Sequence, residues 1–339
     1  MKTATFLIAI ASLMLGLSAN AQEAEDFDAL MEARFDPPPA GWEMPRTQWG
    51  DPDLRGSWPL DYLAGTPRTR SPQFGTRAFL TDEEYERQFL QAENLLDRYD
   101  EEEEANIMAM GHWNERGHPL RQNSLIVEPA NGQMPALTEE GRRRQAADKN
   151  SNNNDIFDTI DDFGPFDRCM TRGMPSTMLT AAYNMGIRVW QSPGIVAIQT
   201  ELIHETRIVH LDGAPPPPHV HFDLGYSVGH WEGDTLVIET TNFRPLMTGT
   251  NSDQMRMVEH LTLMNPDQVR YEAWVEDPVV LTGPYKIDFP WQRNDDYGLF
   301  EYACHEGNVQ IRGYITATSP RFEEFRRAAW AARGETPSE

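Results

Sequence analysis

Between Glu201 and Asp234 the chain gathers side chains suited to moving protons or holding an anion: His204, Glu205, Arg207, Asp212, His219, His221, Asp223, Tyr226, His230 and Glu232. An imidazole titrates near neutral pH, so a histidine beside a carboxylate or phenol makes an acid/base pair, and two imidazoles make half of a metal site. If residues 219–223 are extended, His219, His221 and Asp223 alternate with Val220 and Phe222 and share one face. The preceding Pro215–Pro218 run is stiff enough to hold that face in place. Three readings of the histidine pair stand: exposed or structurally satisfied side chains, an acid/base pair, or two metal ligands completed by His204, His230 or His305. For catalysis the expected roles are His219 or His221 as base and Tyr226 or His230 as acid. No metal or other cofactor is assigned, because neither cysteine ligands nor an H-E-x-x-H spacing accompanies the pair. Metal at His219 and His221 stays the open alternative.

Anion binding points to arginine, whose planar fork meets a carboxylate at two points. Arg168 and Arg172 flank Cys169 in a loop with Gly173 and Pro175. Loops on rigid scaffolds concentrate binding groups, so both are expected to touch ligand. Arg207 joins the expected substrate contacts, with a buried carboxylate such as Glu201 or Glu301 as its structural alternative; His204 and Trp231 complete the set. Other chemistries lack their parts. There is no P-loop and no glycine-rich dinucleotide turn. Gly225-Tyr226-Ser227-Val228-Gly229 has the letters of a nucleophile elbow but leads into a strand, where an elbow leads into a helix. Apart from Lys2 the chain holds only Lys149 and Lys286, which leaves little for Schiff-base chemistry.

Several elements must position these groups. Lys2, the apolar run Phe6–Leu17 and Ala19-Asn20-Ala21 predict a cleaved leader over 1–21 and a mature start at Gln22, hence a periplasmic or secreted protein. Residues 22–50, acidic and with Pro37-Pro38-Pro39, are read as an extended arm docked through Phe35, Trp42 and Trp49. Residues 51–318 are read as one β-rich domain with a helical insertion at about 81–147, and 319–339 as a C-terminal helix and tail. Helices are expected from the cap Thr81-Asp82-Glu83-Glu84, with Tyr85, Phe89, Leu95 and Leu96 at helical intervals, and from Thr138. Beyond residue 186, apolar runs broken by Gly, Pro, Asn and Asp predict strands at 187–191, 195–201, 206–211, 235–242, 255–264, 268–276, 284–293, 298–304 and 309–315. Glu232-Gly233-Asp234 reads as a hairpin turn. The fold class is mainly β: an antiparallel meander closing into a lipocalin-like barrel or sandwich, with a few peripheral helices.

Charge and cysteine count narrow the partners. With 53 acidic against 29 basic residues the chain carries a net charge of −24, and such a field repels nucleic acid and anionic lipid. No stretch after the leader is long and apolar enough to insert in a membrane. Cys169 and Cys304, the only cysteines, are expected to form a disulfide in an oxidising compartment.

Arg168-Cys169 with Arg172-Gly173 and Pro175, Glu201 and Arg207 leading to Leu211-Asp212-Gly213, the run Gly225 to Val237 containing GHWEGDTLV, and Glu276-Asp277-Pro278 carry a resemblance. Over residues 50–310 the chain resembles a broad, largely uncharacterised family of exported bacterial proteins with that motif, a family that supplies no agreed catalytic residues. Gly56-x-Trp58 is similar to the first strand of lipocalin-like barrels. The expected function is a cofactor-independent exported enzyme of the lyase, decarboxylase, isomerase or hydrolase type, acting on a small apolar or aromatic acid in a barrel cavity. The alternative is a periplasmic lipocalin-like protein that binds a small hydrophobic molecule. A histidine pointing into the cavity beside a carboxylate or arginine separates the two.

Overall fold

A computed structural model describes residues 27–63, 65–107, 119–181 and 183–334. The expected leader and Gln22 lie outside them. Ten strands make one mixed sheet curled into a half-barrel. They are β1 (Gly56–Ser57), β2 (Ile126–Glu128), β3 (Ile187–Ser192), β4 (Ile195–Thr200), β5 (Thr206–Leu211), β6 (Tyr226–Glu232), β7 (Thr235–Thr241), β8 (Arg256–Asn265), β9 (Gln268–Glu276) and β10 (Tyr285–Gln292). The order is β1-β3-β4-β5-β6-β7-β8-β9-β10-β2. Peripheral helices are α1 (Asp82–Glu104), α2 (Glu139–Ala147), α3 (Cys304–Gly307), α4 (Gln310–Thr318) and α5 (Glu323–Arg333). No helix of the described residues is long and apolar enough to cross a membrane.

The sheet follows from period-two alternation with turn residues at the corners. In β8, Met257, Glu259, Leu261 and Leu263 are buried while Val258, His260 and Thr262 between them are half-exposed. Pro193-Gly194 turns β3 into β4, with Gly194 at φ 79°. Gly233-Asp234 turns β6 into β7 as the motif requires, with Gly233 at φ 62°. Thr81 caps α1 reciprocally: Glu84 N–H donates to its hydroxyl, and its own N–H donates to the Glu84 carboxylate. Thr138 caps α2 by accepting from Gly141 N–H. The side chains of Leu95 and Leu96 lie outside the described ones.

Three features depart from the expected meander. The β5 and β6 pair is parallel, because the chain crosses from one end of β5 to the start of β6 through residues 212–225, a connection too long for a hairpin. The segments expected as strands at 298–304 and 309–315 are irregular chain followed by α3 and α4. Ile311, Tyr314, Ile315 and Thr318 also fit helical spacing, and Tyr314 packs on Phe157 with ring centroids 5.0 Å apart. Strand β2, unforeseen, adds to β10.

The curl brings β1 against the chain just past β10. Asn294 N–H, just past β10, donates to Ser57 O of β1 (3.0 Å), and Ser57 N–H donates to Asp295 Oδ1 (3.0 Å). Side chains fill the interior. Tyr271 stacks on Trp291 at 5.0 Å and meets Phe289 edge-on at 5.3 Å; Trp58, Phe289 and Trp291 are fully buried. Arg207 on β5 reaches past two intervening strands to Glu259 on β8 in a bidentate ion pair, and the Glu259 carboxylate also accepts from the Tyr271 hydroxyl (2.8 Å).

The arm is anchored through charge more than through its aromatics. Arg34 pairs with fully buried Asp288 (2.7 Å) and donates to Gln122 (2.6 Å). Trp42 packs on the core, and Trp49 donates to Asp51 (2.9 Å).

Candidate functional site

At one end of the half-barrel lies a cavity of about 320 Å³. Its apolar wall is built from Met134, Leu137, Met174, Met255, Val275 and Leu281, with Arg68, Asp277 and Tyr285 as its main polar groups. Each comes from a segment whose backbone is tied down. Ile126 N–H donates to Arg68 O (3.0 Å), which lays the Arg68 loop beside β2. Tyr285 is the first, buried residue of β10. Leu137 and Leu281 form a β-bridge beneath α2.

Charge in this cavity is unevenly satisfied. Asp277, buried after β9, accepts from Ser252 N–H and Ser252 Oγ–H (both 2.7 Å) and from the Val279 and Val280 N–H groups (both 3.2 Å). Four donors disperse its charge. Arg68 is the reverse. Its Nη2 donates to the Tyr285 hydroxyl (2.8 Å) and its guanidinium sits over that ring at 5.8 Å, yet its buried Nε has no acceptor. No carboxylate of the described residues lies within ion-pair distance of it. Burial raises the Tyr285 phenol above its ordinary pKa, against the pull of Arg68, so the hydroxyl stays a neutral donor.

A second guanidinium stands close enough to repel the first. Burial pushes Arg172 below its ordinary pKa; Glu205 raises it and Arg68 lowers it. Among the described residues the Arg172 guanidinium donates to Leu179 O and Thr180 O in long bonds (both 3.3 Å). Burial raises Glu205 above the usual carboxylate range, although Thr177 Oγ–H donates to it at 2.5 Å. Arg172 thus shares the field of half-buried Glu205, while Arg68 reaches the apolar cavity with no carboxylate of its own among the described residues.

The residues singled out in the sequence are dispersed. Tyr226 and His230 alternate with buried Ser227 and Gly229 and so face outward from the sheet. Tyr226 stacks on His210 at 4.7 Å, and exposed His230 pairs with Glu232 (2.9 Å). Residues 219–223 are not a strand: turns occupy 218–219 and 223–224, so the shared histidine face does not form. His219 is exposed; His221 is half-buried with an unpartnered Nδ1, and Asp223 pairs with Arg244 (2.7 Å). None of these four candidates lines the end cavity. His204 is exposed, with Nδ1 3.0 Å from Tyr302 O. Trp231 packs against the core. Arg207 is consumed by Glu259, in place of the expected Glu201, which accepts from Asn184 (2.7 Å) and the Tyr297 hydroxyl (2.8 Å). Arg168 lies 4.0 Å from Asp161 on another cleft. Among the described residues no cluster of three or more histidines, cysteines or carboxylates is disposed to hold a metal.

The Cys169–Cys304 disulfide forms as expected, and it ties the Arg168–Arg172 loop to α3. None of the expected ligand contacts lines the cavity; Arg172 is linked to it through its repulsion with Arg68. Arg68 and Tyr285 were missed: Pro67-Arg68-Thr69-Arg70 gives no reason to prefer Arg68 over Arg70, which is buried on Asn123 and Ala130 O. No family model matches the chain, nor does any curated protein or solved structure.

Proposed function

We propose that this chain is an exported binding protein for a small apolar or aromatic carboxylate, held in the end cavity with its carboxylate on Arg68. The observation that carries this reading is the Arg68 guanidinium, half-buried beside methionine and leucine side chains with a buried donor and no acceptor. A buried donor left empty costs about 1–3 kcal/mol, which a ligand oxygen recovers. The cavity falls within the size range of small-molecule sites, about 300–1,000 Å³, and its methionines adapt to irregular apolar shapes. Export is supported by the leader pattern, by the family resemblance and by a disulfide suited to an oxidising compartment. Binding is favoured over turnover because His219, His221, Tyr226 and His230 lie away from this cavity.

The test is calorimetric titration with 4-phenylbutyrate and with its uncharged analogue 4-phenylbutanol. The carboxylate is expected to bind about ten- to a hundredfold tighter, the value of a charge-assisted hydrogen bond, and Arg68→Gln is expected to erase that difference. Equal affinity for acid and alcohol, or an unaltered preference in Arg68→Gln, overturns the reading. Conversion of the bound acid, lost in His219→Ala and His221→Ala, would replace it with the catalytic one.

A further inference from the structure

A larger cleft, about 760 Å³, opens at the seam where β1 meets the chain beyond β10. Its walls differ in kind from those of the end cavity. Arg55 and Asp53 form a bidentate pair (2.8 and 2.6 Å), and Arg293 pairs with Asp295 (3.1 Å). The Arg293 guanidinium sits over the buried Trp58 ring, 4.6 Å from its centroid. Arg188 is different: it donates twice to Ser57 Oγ (3.1 and 3.0 Å) and has no carboxylate within ion-pair distance among the described residues. Two indoles complete the walls, Trp42 seated on the core and Trp190, 52% exposed. Gly56 admits this geometry, since a Cβ there would come within 3.2 Å of Arg293 Nη1 and Asp295 Oδ1.

These groups define a ligand. Indole faces pair with flat C–H surfaces. Arginine–carboxylate planes present donors and acceptors side by side, which suits vicinal hydroxyls. Both carboxylates are held below the usual carboxylate range, Asp53 by its bonds from Arg55 and Asp295 by the Ser57 N–H. Three guanidiniums against two carboxylates leave one cation, Arg188, in a chain of net charge −24. A single excess cation does not hold a polyphosphate against that field, and a purely apolar guest would bury two ion pairs without satisfying them.

We propose that the seam cleft is a second binding site, for an acidic oligosaccharide, with Trp42 and Trp190 against sugar faces, the Arg55–Asp53 and Arg293–Asp295 planes on hydroxyls, and Arg188 on a sugar carboxylate. It stands independently of the end cavity. The experiment is titration of the full mature chain with the trisaccharide of galacturonic acid and with neutral maltotriose, followed by calorimetry and tryptophan fluorescence. The acidic trisaccharide binds at least about tenfold tighter than maltotriose, the value of one charge-assisted contact, and its affinity alone falls with added salt. Arg188→Gln brings the two sugars level. Trp190→Ala, at an exposed position that leaves the fold intact, weakens the acidic sugar about tenfold. Arg68→Gln changes neither, which separates this site from the first. Absence of binding by the acidic trisaccharide, or binding that survives Trp190→Ala unchanged, overturns the proposal.

Discussion

The ion pair that spans the curled sheet offers the sharpest test of how the fold is braced. Arg207 and Glu259 are 4% and 0% exposed, and strands β6 and β7 lie between the strands that carry them. Burial lowers the Arg207 pKa and Glu259 more than restores it. Arg207→Met removes the cation and leaves a buried carboxylate with the Tyr271 hydroxyl as its remaining side-chain partner. Breaking a buried pair this way costs about 3–5 kcal/mol, a large part of the roughly 5–15 kcal/mol that holds a typical protein together. With a urea slope of about 2–3 kcal/mol/M, the unfolding midpoint falls by roughly 1–2 M. Replacing both partners, in Arg207→Met with Glu259→Leu, removes the stranded charge along with its partner and is expected to recover most of the loss, since apolar replacements of buried pairs are often neutral or stabilising by about 1–4 kcal/mol. Urea unfolding of the two single variants and the double variant gives the coupling energy directly. A single-variant loss under about 1 kcal/mol, or a double-variant loss equal to the two singles added, refutes the bracing role.

Further outcomes follow from other sites. Gly225→Ala places a Cβ 2.7 Å from the Phe243 ring and 2.8 Å from Thr241 O at φ 73°; a loss of about 2–4 kcal/mol is expected on thermal unfolding, and a loss near zero would contradict the geometry. Removing the disulfide with Cys169→Ser and Cys304→Ser, a sequence separation of 135 residues, should lower stability by about 5 kcal/mol on the chain-entropy estimate, read by comparing oxidised and variant protein in urea. Glu84, half-exposed and bonded first by Arg77 and then by Thr81 N–H, is lowered to about 2. Its contribution to stability is therefore present above its ordinary value near 4.5 and lost as pH falls toward 2; in Arg77→Ala an NMR titration should find the Glu84 carboxyl moved back toward its ordinary value.

Local alternation made the sheet legible. From Ile187 to Glu276 each expected strand matches an observed one to within a residue or two, because the runs bury one face and most end at Gly, Pro, Asn or Asp, whereas β6 was not among the expected strands. Pairing direction was not legible. Nothing in residues 212–225 says whether the chain returns antiparallel or crosses over, so the parallel β5/β6 pair appeared only in three dimensions. The last two expected strands failed because Val309, Ile311 and Ile315 satisfy period two about as well as period 3.6, and contact with Phe157 chose the helix. Site reading suffered more. Crowding of titratable residues between 201 and 234 reflects an outward sheet face and a turn-rich crossover, whereas the cavity draws on Arg68, Asp277 and Tyr285, far apart in sequence. Arg172, picked out by its Gly/Pro loop, does not line the cavity. Arg68 was not legible, since its distinction is a missing partner, and an absence of partners leaves no trace in one sequence.

The closure of the sheet also bears on the order in which the chain acquires structure. Ser57 and Asp295 are bonded across a separation of 238 residues, so the seam joins an early segment to one near the end of the sheet. Contacts of such span require the loop-closure entropy to be met before they add anything, and they slow folding. The hairpins from β6 to β10 need no such wait. β1 can pair with β3 once residues 188–189 are made, but the arm's bonds to Asp288 and the seam bonds to Asp295 close only when nearly the whole sheet is present, so a protease present during refolding should cut first in the arm around Arg34, with protection there arriving last.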